Sequence, residues 1–569
     1  MFKLRRFLKH YKKELVLGPF FKLLEAIFEL IVPVVMAKII DNGIGNNDSA
    51  YVWKMSGLIV VLGICGLGFA LTCQFFAAKC AYGFGTELRN ELYKHINRLS
   101  HAEIDKFGTS SLITRVTNDT VLAQNGVNMF IRLAVRAPFL IIGAAVMAMM
   151  LDLKLSIVFL IAAPVITAII VWVMKKTVPM YKRIQKGLDK ISLLTRENLE
   201  GVRVIRAFSK QDEEKKKFNE ESQALAESSI IAGKISAILN PVTFMIMNLG
   251  IVAILWFGGI RVDTGHLTQG EITAFVNYMT QILLAMIVLA NLVVVFTKAA
   301  SSASRINEVF ETQPSIITGK DKTFDLNKPA IEFNNVSFEY PGAGDLSLEN
   351  ITFTLNRGEV LGVIGGTGSG KSTMANLVPR FYEISFGNIR IYGKDIKSYS
   401  LESLRKLIGV VPQKAALFSG TVADNMRWAK PDASEDDIIK ALKIAQAWEF
   451  VSKLPDGIHT HIEQGGKNLS GGQRQRLTIA RAIVGNPPVV ILDDSMSALD
   501  YATDLALRKA IESELSDTAV IMISQRATTL QNANEILVLD DGKTAGFGTH
   551  SELLENCQEY LEIYNSQMS

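Results

Sequence analysis

Six long apolar runs crowd the first 300 residues of this 569-residue chain, at 15–37, 55–78, 134–151, 155–174, 235–260 and 272–296. A helix needs about 20 apolar residues to cross a bilayer core of about 30 Å. Inside that core only helices and closed barrels satisfy their own backbone groups. The pattern therefore predicts a membrane domain of about six spanning helices. Composition agrees, with 49% hydrophobic and only 20% charged residues. A purely soluble enzyme, a secreted disulfide scaffold and a disordered tail protein are excluded. The four cysteines, Cys65, Cys73, Cys80 and Cys557, have neither framework nor metal spacing. Sixty basic residues balance 56 acidic ones, so no nucleic-acid partner is expected.

The connections alternate in length and charge. Residues 41–53, 152–154 and 261–271 are short links poor in Lys and Arg, whereas 82–133 and 175–234 are long and basic. The excess of positive charge predicts that both long connections and both termini are cytoplasmic. The long connections read as polar helices that continue the spans. Lys3, Arg5, Arg6, Lys9, Lys12 and Lys13 predict an amphipathic helix at the inner membrane surface rather than a signal peptide. Within the first apolar run, Glu25 and Glu29 share a helix face, and Lys22 lies three residues before Glu25. Charges in a span face a cavity or one another, so these either recognise cationic cargo or pair internally.

From residue 331 the texture changes. Short β-like runs at 331–340, 360–364, 489–492, 519–523 and 536–539 alternate with helical segments, which predicts an α/β fold with a largely parallel sheet. The expected organisation is a membrane domain at 1–312, a linker at 313–328 and an α/β domain at 329–569.

Gly365-Gly366-Thr367-Gly368-Ser369-Gly370-Lys371-Ser372 fits G-x-x-x-x-G-K-[ST], directly after a strand-like run and before a helical one. That is the context a P-loop requires. Its glycines let backbone N–H groups turn around phosphates. Lys371 would neutralise β/γ oxygens, and Ser372 would place a hydroxyl on Mg²⁺. Thr373, next in the helix start, is expected to bind the nucleotide together with Gly365–Ser372. Downstream, a buried strand ends in Asp493, the Walker B form of a metal-holding acid.

Between these motifs, Leu469-Ser470-Gly471-Gly472-Gln473 resembles the signature of ATP-binding-cassette (ABC) proteins. Tyr340, Gln413, and Ser497-Ala498-Leu499-Asp500 stand where that family has its A-loop, Q-loop and D-loop. The order of spans, then one P-loop α/β cassette, resembles an ABC exporter half-transporter of the multidrug type. The resemblance implies an ATPase coupled to transmembrane transport, with ATP and Mg²⁺ as cofactors and Ser372, Gln413 and Asp493 around the metal. It also implies that two cassettes close head-to-tail, so that Ser470, Gly471, Gly472 and Gln473 serve the partner's ATP. Tyr340 would stack on adenine. Glu200–Phe208 resembles the loop whose short helix docks on a cassette.

Two positions depart from the family pattern. Asp494 stands where active members place a Glu that polarises water, and Gln525 replaces the switch His. Gln464 also replaces a Glu common in exporters. The expected consequence is a slow, degenerate ATP site, with an intact signature that completes the competent site of a second, non-identical half-transporter. The expected function is export of hydrophobic or amphipathic compounds, drugs among them, through a plasma membrane of bacterial type. Lipid flipping and a regulatory or channel-like role are the alternatives.

Overall fold

The computed structural model describes residues 2–568 and divides the chain into two compact units. One comprises residues 1–96 and 110–311; the other comprises 97–109 and 312–569.

The first unit is all helical. A helical segment Phe2–Tyr11 leads into α1 (Lys12–Lys38) and α2 (Ser49–Ile96). The chain then visits the other unit with α3 (His101–Phe107). The next path is built of α4 (Thr109–Thr114), α5 (Thr120–Met129) and α6 (Arg136–Leu151), joined by π-helical turns Arg115–Asp119 and Phe130–Ala134. Then come α7 (Ile157–Glu200), α8 (Val202–Ala207), α9 (Gln211–Ala237), α10 (Leu239–Asp263) and α11 (Gln269–Glu311). The 48 residues of α2 rise about 72 Å at 1.5 Å each, more than twice a bilayer core. Such helices carry polar extensions beyond the membrane.

Among the described residues, five stretches are long and apolar enough to cross: Ser49–Ile96, Thr109–Leu151, Ile157–Glu200, Gln211–Asp263 and Gln269–Glu311. The sixth expected run, at 15–37, lies outside this set, which is defined by length and composition. The run at 15–37 does fold as the 27-residue α1, but Lys22, Glu25 and Glu29 interrupt its apolar character. Those charges are paired in the structure: Lys22 Nζ lies 2.6 Å from Glu25 Oε2, and Arg136 Nη2 lies 2.6 Å from Glu29 Oε2. Near the other end of the bundle, buried Asp119 accepts from Arg305 Nε at 2.8 Å and from Ser302 Oγ at 2.9 Å. A buried carboxylate needs such partners. In the N-terminal segment, Leu4 and Phe7 are buried within the unit, and the Arg6 guanidinium lies 4.6 Å from the Phe310 ring centre. Its apolar face is therefore covered by protein.

Among the described residues the second unit holds twelve strands: β1 (Ile331–Phe338), β2 (Leu348–Leu355), β3 (Val360–Gly365), β4 (Phe386–Ile391), β5 (Lys394–Asp395), β6 (Ile408–Val411), β7 (Gly420–Thr421), β8 (His461–Ile462), β9 (Val489–Asp493), β10 (Ala519–Ile523), β11 (Glu535–Asp540) and β12 (Lys543–Gly548). One sheet runs β2-β1-β4-β5 and is antiparallel. The central sheet runs β12-β11-β3-β10-β9-β6 and is parallel except for β12. β3, β9 and β10 are apolar along nearly their whole length, as strands covered on both faces must be. The segment Gly319–Asp321 bonds back to Ser398 and Tyr399, so the expected linker packs on this unit.

Candidate nucleotide site

Register alone gathers three motifs. Val363 of β3 pairs with Ile523 of β10, which pairs with Asp493 of β9. The residues after these strands therefore emerge along one edge of the sheet: the P-loop, Gln525, and Asp494. The carboxyl edge of a parallel sheet is where such folds bind ligands.

The P-loop joins β3 to helix α12 (Lys371–Leu377). Gly370 caps that helix at φ 95°, where a Cβ would fall 2.7 Å from Leu348 Cδ2 and 2.8 Å from the Ser347 carbonyl. Only glycine meets both demands. Lys371 Nζ donates to the Gly365 carbonyl at 2.9 Å, to the Gly366 carbonyl at 2.5 Å and to Ser369 Oγ at 3.3 Å. The ammonium thus bridges the loop on which it would meet phosphate. Burial holds its pKa below the ordinary lysine value, while Asp494 and Asp493 pull the other way. Thr367 and Gly368 line the exposed rim, and Thr373 Oγ1 accepts from Tyr340 OH at 3.2 Å.

Asp493 is buried at the end of β9, and its Oδ1 accepts from Ser372 Oγ at 3.0 Å. Burial pushes this carboxyl upward, against the Ser372 hydrogen bond. The pair offers two hard oxygen atoms beside the phosphate loop, a donor set that suits Mg²⁺, which otherwise keeps water and phosphate ligands. Among the described residues no cluster of three or more His, Cys, Asp or Glu forms a self-sufficient metal site.

Asp494 takes φ 44°, a left-handed conformation that aspartate tolerates better than most residues. Its N–H donates to the Ile523 carbonyl at 3.0 Å, and its Oδ2 accepts from Gln413 Nε2 at 3.4 Å. Gln525 is exposed, and its backbone carbonyl accepts from Gln567 Nε2 at 2.7 Å.

The signature forms a second, separate feature. Ser470 caps the helix Gly471–Ile483: its Oγ accepts from Gln473 N at 3.3 Å, and Gln473 Oε1 accepts from Ser470 N at 2.9 Å. This is a reciprocal capping box. A Cβ at Gly471 would meet nothing within 4 Å, whereas one at Gly472 would lie 3.3 Å from the Ala498 carbonyl. Among the described residues no hydrogen bond joins Ser470–Gln473 to the P-loop or to Asp493. Asp500 caps the next helix, Tyr501–Glu514, accepting from Thr503 N at 2.9 Å and from Thr503 Oγ1 at 2.8 Å. Those bonds hold its carboxyl below the usual range.

Sequence reading passed over Tyr382. Its ring meets Tyr340 edge-on, with centroids 5.1 Å apart at 82°, and its hydroxyl donates to Asp105 Oδ2 of α3 at 2.6 Å. Beside it, His101 stacks on Phe381 at 4.5 Å. In sequence, Phe381 and Tyr382 look like ordinary core aromatics.

Strands, P-loop and signature together define a membrane-linked cassette, and the comparisons agree. The family description "ABC transporter transmembrane region" matches residues 15–286, and "ABC transporter" matches 348–497. The chain is 37% identical over 562 residues to the uncharacterized ABC transporter ATP-binding protein YfiB of Bacillus subtilis, covering 99% of this chain and 97% of that one. It is 31% identical to the ATP-dependent lipid A-core flippase of Haemophilus influenzae, covering 99% and 96%. A structure of a bacterial Atm1-family ABC exporter with ATP bound shares the fold, with a TM-score of 0.83 at 23% identity, covering 98% of this chain and 99% of that one. The chain belongs to the ABC transporter family. One membrane region and one cassette stand in this chain, and the cassette is that of an ATPase coupled to transport.

Proposed function

We propose that this chain is one subunit of an asymmetric exporter that moves hydrophobic or amphipathic compounds outward, together with a second, non-identical half-transporter. In this reading ATP lies over Gly365–Thr373 with its adenine against Tyr340, and Ser372, Gln413 and Asp493 serve Mg²⁺. The carrying observation is Asp494. Aspartate is one methylene shorter than glutamate, which withdraws the carboxylate by about 1.5 Å, and a misplacement near 1 Å can cost on the order of a hundredfold in rate. Its side chain faces Gln413, 3.4 Å away. Gln525 adds to this, since an amide cannot relay a proton as imidazole can. This chain's own site is therefore slow, and Ser470, Gly471, Gly472 and Gln473 complete the partner's competent site.

The small helix α8 also favours a partner. Val204 and Phe208 at its end are 60% and 73% exposed, an apolar surface without cover in the unit that bears it. The positive-inside pattern supports a multi-pass protein of the plasma membrane with both termini cytoplasmic. Lipid flipping is the second reading, favoured by the resemblance to proteins named lipid A-core flippase. Co-purification followed by vesicle transport tests the proposal. A non-identical half-transporter should co-purify, and dye and lipid probes should move in an ATP-dependent way. A self-sufficient homodimer with two equally fast sites would overturn it.

A further inference from the structure

Inside the helical unit lies a cavity of about 160 Å³ lined by Glu29 of α1, Arg136 and Leu140 of α6, and Gln281, Leu284 and Val288 of α11. Its lining is mostly apolar, but three polar side chains, Glu29, Arg136 and Gln281, reach it, and the two charges are already spent on one another. The Glu29 carboxylate holds Arg136 Nη2 at 2.6 Å, and the nearby Glu25 holds Lys22. Two lining atoms are not satisfied. Gln281 Oε1, an acceptor, and Arg136 Nε, a donor, are both buried without a hydrogen-bond partner. Gln281 Nε2 reaches only a long contact, 3.5 Å, to the Glu29 carbonyl. Buried polar atoms within a span cost free energy until something bonds them, and such residues mark pathways rather than packing.

We infer that this cavity is a cargo subsite for an uncharged hydrogen-bonding head, an amide or hydroxyl, carried on an apolar body. The inference rests on the export reading above and names the cargo class. A head that both donates and accepts can give its hydrogen to Gln281 Oε1 and take one from Arg136 Nε. A cation gains little here, because each carboxylate of α1 already has its counter-ion. A carboxylate would face Glu29 beside Arg136 and gains little too. Size points the same way. At about 30 Å³ per water the space matches about five waters, whereas whole drug-sized ligands take about 300 Å³ or more. It therefore holds a head with a few carbons, leaving the tail outside. The cavity of about 180 Å³ lined by Ile141, Phe159, Ser156 and Ile282 makes a contrast. Its one polar lining group, Ser156 Oγ, already donates to the Asp152 carbonyl at 2.7 Å.

The test uses the full transporter in lipid nanodiscs without nucleotide. Three photoreactive probes share one diazirine-bearing twelve-carbon tail: dodecanamide, dodecyltrimethylammonium and dodecanoate. Labelled peptides are mapped by mass spectrometry. The amide should label the α1, α6 and α11 segments around Gln281 preferentially. Gln281→Leu should lower that labelling about tenfold, the loss expected when a buried hydrogen-bonding group goes. Gln281→Glu, nearly equal in size, should shift preference toward the ammonium probe and decides the matter if the leucine variant does not fold. Equal labelling by all three probes, preference for the ammonium in the wild type, or indifference to both substitutions would overturn the subsite. Labelling needs no ATP turnover. A transporter that labels as expected but moves nothing in vesicles therefore refutes export and not the subsite, and the reverse result refutes the subsite alone.

Discussion

The cassette presents two glycine-rich helix starts, and they are built differently. At the P-loop the backbone is closed on itself: Lys371 ties down Gly365, Gly366 and Ser369, Gly370 is locked between Ser347 and Leu348, and Ser372 holds Asp493. At the signature, Ser470 and Gln473 satisfy one another, and Gly471 stands before open space. One region is complete as a receptor within its own chain. The other is a rigid donor array without an object. That difference is what a shared, two-chain ATP site requires, because a signature that engaged its own P-loop would leave nothing for a partner.

The sharpest way to break this contrast is Gly471→Asp. Nothing surrounds the new Cβ, so folding should be spared, while a negative charge would meet the partner's γ-phosphate. ATPase of the assembled transporter should fall on the order of a hundredfold, the scale seen when preorganised donors to a developing charge are lost. Near-normal turnover would refute the head-to-tail assignment. Lys371→Ala comes next. It removes the charge on phosphate and unties two loop carbonyls, so nucleotide retained at this chain's site should weaken by roughly ten- to thirtyfold; trapped-nucleotide counts measure it, and unchanged counts would make the loop lysine dispensable.

A smaller, positive effect is expected from Asp494→Glu with Gln525→His. Single-site hydrolysis, read with the partner's own site disabled, should rise about tenfold, and more than the two single changes combined, because the two groups act as a unit. Glutamate is less at ease than aspartate at φ 44°, so the double variant should also melt slightly lower, by about 1 kcal/mol or less of stability. A brisk rate in the wild type would sink the degenerate-site reading. The smallest effect belongs to Tyr382→Phe, which keeps the ring against Tyr340 and deletes only the bond to Asp105. Loss of one such bond, about 1–2 kcal/mol, should raise hydrogen exchange in α3 severalfold while ATP affinity stays within twofold. A large affinity loss instead would mean that Tyr382 shapes the adenine pocket directly.

How far the sequence carries differs between the same two regions and the membrane unit. P-loop, Asp493 and signature were legible because their chemistry depends on backbone shape and short spacing, which local residues dictate. The helix boundaries of the spans were legible in outline for the same reason. What stayed hidden depends on contacts far apart along the chain. Glu29 meets Arg136 across 107 positions, which makes a neutralised pair of a residue that the sequence left open as a cation site. Tyr382 meets Asp105 across 277 positions. The left-handed turn at Asp494 was equally invisible, since nothing in Asp493-Asp494-Ser495 announces it.

The placement of α3 has a consequence for how the chain is made. Asp105 leaves the ribosome 277 residues ahead of the tyrosine that receives it. At a synthesis rate of about 5–20 residues per second that is a wait of roughly 15 to 55 s, spent while most of the membrane helices are still being threaded. That early piece of the second unit waits for its partners, so a cassette cut out at residue 312 would lack the His101–Phe381 stack and the Asp105–Tyr382 bond, while Tyr382 would keep its contacts with Phe338 and Tyr340.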